Sequence, residues 1–208
     1  MICISIGSGS PAEAKKILQK SGFIEIRADL LDWNIEDYKD VISCGSKTVF
    51  TCRPGKYSNE ERLKLFEMAA ASGCKYIDIE IDSDEAFLFA IRNITQKYST
   101  QTIISYHNYE MTPSADVLES FLSDCFELGA DVAKLACRVY SPADAARLLS
   151  LYSISGRKIV IGMGKAGKIT RLAAAFLGAE FTFASSGEAT AEGQLDFEEM
   201  KDLIKKIQ

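Results

Sequence analysis

Eight short runs rich in Ile, Val, Phe and Tyr punctuate the chain: ICISI, FIEIRAD, TVFTCR, YIDIEI, TIISYH, DVAKLAC, KIVIGM and FTFAS. Between them lie stretches of helical period, such as SNEERLKLFEMAAASG and SADVLESFLSDCFELG. Each of these ends in the glycine that commonly closes a helix. The segment SPADAARLLSLY opens with Ser141 as an N-cap and Pro142 at the first helical position. Strands that alternate with helices, with no linker or break in composition, predict one α/β domain over residues 1–208, its strands parallel.

An open doubly wound sheet and a closed barrel both satisfy that pattern. The polar residues near the strand ends separate them. Arg27, Arg53, Glu80, His107 and Lys134 recur every 26 or 27 residues, so each βα unit delivers one polar group at nearly the same phase. In a barrel, such residues face a common mouth at the C-terminal ends of the strands. An open sheet would place its site at a single switch point and use fewer strands. Eight units of this length nearly consume the 208 residues. The expectation is a single, compact (β/α)8 TIM barrel, smaller than the roughly 250 residues typical of the fold, with short loops and a thinly covered bottom.

Composition narrows the class further. With 47% hydrophobic and 25% charged residues, the chain reads as globular rather than disordered or fibrous. A net charge of −5 gives no general attraction for nucleic acid or anionic membranes. The start MICISIGSGS does not resemble a signal peptide, and RLAAAFLGAEFTFA, broken by Glu180, is too short to span a bilayer. Six cysteines are scattered without a CxxC pair, and the chain has one histidine. A Cys/His zinc site is therefore not expected, and reduced, mostly buried thiols in a cytoplasmic protein are.

Candidate chemistry begins with Lys134, which sits among small and apolar residues in GADVAKLACRV. Burying an ammonium without a partner is expensive. Alternation puts Val132, Lys134 and Ala136 on one face of that strand, and Ile103, Ser105 and His107 on one face of TIISYHN. Taken alone, Lys134 equally suits a structural ion pair inside a barrel, and His107 a satisfied core residue. Their shared phase on successive strands points to chemistry. A lysine attacks a ketone as the free amine, a form that burial and nearby cations favour; Arg27, Arg53 and Arg171 supply such cations. The resulting iminium acidifies the neighbouring C–H, and a histidine can carry that proton to a leaving hydroxyl. Asp78 and Glu80 share a face one strand earlier, where either orients the imidazole or balances the arginines.

Two loops complete the set. In IGMGKAGKITR, Gly162, Gly164 and Gly167 fit GxGxxG, and Gly162 to Lys168 begins a P-loop pattern, but Ile169 occupies its Ser/Thr position and the run follows a late strand. A tight loop bringing backbone N–H groups and Arg171 to an anionic ligand is the functional reading; a plain turn is the alternative. The segment SSGEATAEGQ, residues 185–194, has the composition of a loop that closes over a ligand.

Taken in order, EIRAD, FTCR, YIDIE, SYHN, AKLA, GMGKAGKITR and ATAEGQ resemble the type I 3-dehydroquinate dehydratases of the shikimate pathway of aromatic amino acid biosynthesis. The resemblance implies a (β/α)8 barrel lyase, commonly a homodimer, that converts 3-dehydroquinate to 3-dehydroshikimate without metal or cofactor. It implies Lys134 as the Schiff-base lysine, His107 as the general acid/base and Arg171 as the partner of the substrate carboxylate. Glu25, Arg27 and Arg53 match residues around the substrate hydroxyls, and Thr190 and Gln194 a Ser and a Gln of the closing loop. Asp78 and Glu80 match the acidic pair of the fourth strand. Tyr57 stands where the family often has a glutamate, so a carboxylate beside His107 is expected to be missing. Thr190 replaces the usual Ser, and Glu192 a proline. A Schiff-base aldolase acting on a phosphorylated sugar, and a ligand-binding barrel without activity, are the other readings.

Overall fold

In a computed structural model, which describes residues 1–44, 47–187 and 190–207, the apolar runs become parallel strands. These are β1 (Ile2–Ile6), β2 (Phe23–Arg27), β3 (Lys47–Thr51), β4 (Tyr76–Glu80), β5 (Gln101–Asn108), β6 (Val132–Arg138), β7 (Lys158–Met163) and β8 (Thr182–Ala184). The intervening helices are α1 (Pro11–Ser21), α2 (Ile35–Ile42), α3 (Asn59–Ala71), α4 (Glu85–Tyr98), α5 (Ala115–Glu127), α6 (Pro142–Ser150) and α7 (Lys168–Ala174), with α8 (Phe197–Ile207) last. Capping boxes built on Ser10, Asn34, Ser58 and Ser141 start four of them. The predicted glycines Gly73 and Gly129 follow α3 and α5 with positive φ.

The strands pair in the order β7-β6-β5-β4-β3-β2-β1-β8. Between β7 and β8 the Glu180 N–H donates to the Lys158 carbonyl at 3.0 Å. The result is the expected (β/α)8 barrel, nearly closed. Two apolar cores follow from strand alternation. One lies between sheet and helices, and its aromatic members include Tyr38, Phe50, Phe66 and Phe87. The other fills the barrel and includes Cys3, Phe23, Val49, Tyr76, Ile103, Val132, Ile159 and Phe181.

The bottom is firmer than the sequence suggested. Phe23 and Phe181 meet edge to face at 4.7 Å, while the Tyr76 hydroxyl donates to Glu180 at 2.9 Å. Arg157 holds the same carboxylate at 2.7 Å. This aromatic plug forces everything polar on the inner face toward the other end.

The glycine-rich turn after β7 is packed backbone to backbone. A Cβ on Gly167 would sit 2.5 Å from the Gly162 carbonyl oxygen, a distance no relaxation of a side chain relieves. Gly167→Ala is therefore expected to destabilise the fold by about 1–3 kcal/mol, read as a lower urea midpoint with an unchanged slope.

Candidate active site

Two residues beyond the apolar plug, β1 to β6 turn polar on the inner face, while β7 and β8 stay apolar with Ile161, Met163 and Phe183. Val49 is followed by Thr51 and Arg53, Tyr76 by Asp78 and Glu80, Ile103 by Ser105 and His107. Phe23 is followed by Glu25 and Arg27, and Val132 by Lys134. Period two thus stacks a layer of small hydroxyls and charges beneath a layer of larger charged groups. Above them opens a cavity of about 210 Å³ whose wall includes Lys134, His107, Arg53, Arg171, Glu25 and Gln194.

Lys134 is 5% exposed, and Asp78 meets the cost of burying it. Its Nζ donates to Asp78 Oδ2 at 2.7 Å and lies 4.5 Å from the centre of the Phe183 ring. Asp78, wholly buried, also accepts from Arg53 Nη2 at 2.8 Å and from Ser105 Oγ at 2.5 Å. Burial alone would raise the Asp78 pKa. The charges of Arg53 and Lys134, with the hydrogen bonds from Lys134 and Ser105, override it and hold the carboxyl well below its usual range. The lysine thus has the carboxylate partner that its ion-pair reading called for. The register also separates it from the histidine by one step: Lys134 lies beside Ser105, and His107 beside Ala136.

His107 Nδ1 lies 3.0 Å from Glu80 Oε2. Burial would raise the Glu80 pKa too, but the His107 hydrogen bond and the Arg53 charge hold it down, so the carboxylate accepts and Nδ1 carries the proton. Nε2 is then the free base. Burial lowers the imidazole pKa, and Arg53 and Lys134 lower it further against the opposing pull of Glu80. Of the two roles left open for the acidic pair, Glu80 contacts the histidine and Asp78 the lysine. The carboxylate beside His107 is the strand glutamate of that pair; the loop glutamate that the family often adds is absent, with Tyr57 at its position. The tyrosine side chain lies elsewhere, packed on the outer core along a surface groove with Trp33, Tyr38 and Leu65.

The remaining candidates also reach the cavity. Glu25 is fixed by Ser5 Oγ at 2.6 Å and Thr51 Oγ1 at 2.8 Å. Arg27 forks onto Asp29 with contacts of 3.1 and 2.6 Å. Gln194 Oε1 accepts from the Thr190 N–H at 2.9 Å, while its Nε2 donates to Ser5 Oγ at 3.3 Å. Glu192 pairs with Arg138, and its carbonyl accepts from the Gly164 N–H at 3.3 Å. Thr190 to Gln194 therefore lie folded across the mouth; Glu188 and Ala189, part of the expected closing loop, fall outside the described residues.

Arg171 is different. It is 2% exposed, its Nε has no hydrogen-bond partner, and among the described residues it makes no ion pair. Burial pushes its pKa down to about 10, with Glu25 opposing, which leaves it charged at neutral pH. The three glycine N–H groups of the loop are already bonded. The Gly162 N–H donates to Thr170 Oγ1, Gly164 to the Glu192 carbonyl and Gly167 to the Gly164 carbonyl. These three donors are spent within the fold, and Arg171 is the side chain that the segment brings to the cavity. Ser5, Thr51, Asp29 and Arg138 were not singled out from sequence. Ser5 and Thr51 carry a readable signal, lying two residues along a strand from a buried or charged inner position.

A family model of type I 3-dehydroquinases matches residues 2–208. The chain belongs to the type I 3-dehydroquinase family. A 3-dehydroquinate dehydratase of Methanococcus maripaludis is 35% identical and covers 100% of both chains. The solved 3-dehydroquinate dehydratase of Aquifex aeolicus matches with a TM-score of 0.86 at 33% identity, covering 99% of this chain and 98% of that one. The Geobacillus kaustophilus structure gives 0.89 at 25% identity, over 100% and 90%.

The buried pair gives this 3-dehydroquinase a pH signature. Asp78 and Glu80 have folded pKa values below their unfolded ones, so their contribution is complete above about pH 5 and is lost as pH falls through the folded values. Asp78→Asn leaves Lys134 and Arg53 short of a buried counter-charge. It is expected to lose about 3–5 kcal/mol at pH 7, a deficit that shrinks in acid because the wild type loses the same charge there. Denaturant titrations at pH 7 and at acid pH measure both effects.

Proposed function

We propose that the protein dehydrates 3-dehydroquinate to 3-dehydroshikimate through an imine on Lys134, with His107 as the proton carrier. The observation that supports this most directly is one cavity wall bearing a buried amine, a free imidazole nitrogen and a buried guanidinium without an anion. A substrate carboxylate supplies the missing partner of Arg171, and fixes the ring so that its ketone meets Lys134.

The neutral lysine adds to the C3 carbonyl, and loss of the carbonyl oxygen as water gives the iminium. His107 Nε2 then removes a proton from C2, the electrons moving into the iminium to form an enamine. The same proton goes to the C1 hydroxyl as that C–O bond breaks, releasing a second water. Hydrolysis consumes one water and returns the lysine, so the net loss is one water. Glu25 and Arg27 are placed for the substrate hydroxyls, and Thr190 and Gln194 for closing the site against solvent.

An aldolase acting on a sugar phosphate would share the lysine, but the internally bonded glycine loop offers its phosphate little. An inactive binding barrel would bind 3-dehydroquinate without releasing the enone. Six free cysteines, five of them buried, accord with a cytoplasmic setting; among the described residues no helix is long and apolar enough to cross a membrane. The homodimer is a reading from the family, checked by sedimentation.

Incubation with 3-dehydroquinate and borohydride, followed by intact-mass and peptide analysis, is expected to give one reduced adduct on Lys134. Folded protein without an adduct overturns the imine. Lys134→Ala is expected to lower kcat at least about a thousandfold. His107→Ala should lower it by about 10²–10⁴ while still forming adduct. Arg171→Ala should raise KM about tenfold or more, and an unchanged KM removes it from the carboxylate site.

A further inference from the structure

Arg53 was expected at the substrate hydroxyls, yet both its terminal nitrogens already face carboxylates. Nη2 donates to Asp78 Oδ1 at 2.8 Å, whereas Nη1 lies 2.8 Å from Glu80 Oε1 as an ion pair without hydrogen-bond geometry. The second oxygen of Asp78 holds Lys134 at 2.7 Å, and the second oxygen of Glu80 holds His107 at 3.0 Å. Each carboxylate thus turns one oxygen to Arg53 and the other to a proposed reactive group. Lys134, Asp78, Arg53, Glu80 and His107 form one unbroken series of ion pairs, contributed by β4, β5, β6 and the segment just after β3. We propose that Arg53 is a positioning residue that links Lys134 to His107 electrostatically, so that a change of charge on one is felt by the other through the two carboxylates.

The charges explain how. With an ammonium on Lys134 and a neutral His107, two cations face two anions and the series is balanced. When the lysine becomes a neutral amine, Asp78 loses one of its two cations and draws Arg53 toward itself. Glu80 is then less neutralised and stabilises a protonated imidazole. An iminium at Lys134 restores the first arrangement, and the imidazole returns to the free base. His107 would then be an acid while the amine is neutral and a base once the iminium exists. That consequence rests on the imine chemistry proposed above; the linkage itself does not.

Other groups near the imidazole do not reproduce the link. Tyr109, just beyond β5, stacks on it at 5.9 Å. Glu25 and Arg27 of β2, Arg138 at the end of β6 and Arg171 line the same cavity. None of these joins both carboxylates. Burial, Arg53 and Lys134 each lower the His107 pKa, while Glu80 raises it, the signs the linkage requires.

His107 is the one histidine of the chain, so its ring C–H resonance needs no assignment by mutation. The test is an NMR pH titration of that resonance in the ligand-free protein, for wild type, Arg53→Met, Lys134→Met and the double variant. Arg53→Met is expected to raise the midpoint by about one pH unit. Lys134→Met is expected to raise it in the wild-type background and clearly less in the Arg53→Met background. A midpoint unmoved by Arg53→Met, or two shifts that simply add, overturns the proposal and leaves direct Coulomb forces or substrate contact as the role of Arg53. Should Arg53→Met not fold, the same cycle with Arg53→Lys decides: the charge is kept but one ammonium cannot grip both carboxylates, so non-additive shifts support the link and additive ones overturn it. No turnover enters this readout, so its failure is distinct from failure of the imine.

Discussion

The site is organised around a single buried carboxylate. Asp78 is wholly inaccessible and accepts from Lys134 of β6, Ser105 of β5 and Arg53 just after β3. Such a charge is tolerable inside a barrel only when its lone pairs are filled and a cation is close. The requirement propagates. Residues of the same inner layer must be small and polar, as Ser5, Thr51 and Ser105 are, so that carboxylates and amine meet without voids or unpaired donors. The apolar plug of Phe23, Tyr76 and Phe181 below keeps water from reaching that layer from the bottom.

Buried ion pairs of this kind contribute little net stability compared with apolar residues of the same volume. Their retention makes sense through what they hold in place. Two buried cations illustrate the contrast. Lys134 is satisfied at rest by Asp78 and sits against Phe183. Arg171 is equally buried, but its Nε is left without a partner. A satisfied cation must be released before it reacts, whereas an unsatisfied one favours whatever anion enters. One group is thus suited to chemistry and the other to capture, and the difference comes from which strand faces each of them.

The periodic runs made the eight strands, the single domain and the barrel legible, because strand phase and the recurring 26- or 27-residue interval are local properties of the chain. Lys134 and His107 were legible for the same reason: a charge in an apolar run is conspicuous. The division of labour between Asp78 and Glu80 was not. It depends on the stagger of β4 against β5 and β6, which pairs Asp78 with Ile103 and Lys134 with Ser105, and no single strand encodes that stagger. The directions of the glycine N–H groups were not legible for a related reason. The loop's composition advertises free N–H groups, yet their direction is settled by Thr170 and by Glu192 from a later loop.

The position of Tyr57 brings these points together. A loop glutamate at that position would have to be steered onto the imidazole by the loop's own conformation. Glu80 instead projects from a strand hydrogen-bonded to the one that bears His107, so the ladder itself sets their relative position. Arg53 then pairs with both members of the acidic pair from the opposite side, by a hydrogen bond to Asp78 and by charge to Glu80. With one carboxylate supplied by the sheet, the imidazole keeps a partner although the loop supplies none. Tyr57 is free to turn outward and pack with Tyr38 and Leu65, while Arg62 of α3 ties down the same segment through the Cys52 carbonyl at 2.9 Å. The departure from the family pattern therefore removes the loop acid and leaves the strand acid, which keeps a carboxylate on the imidazole.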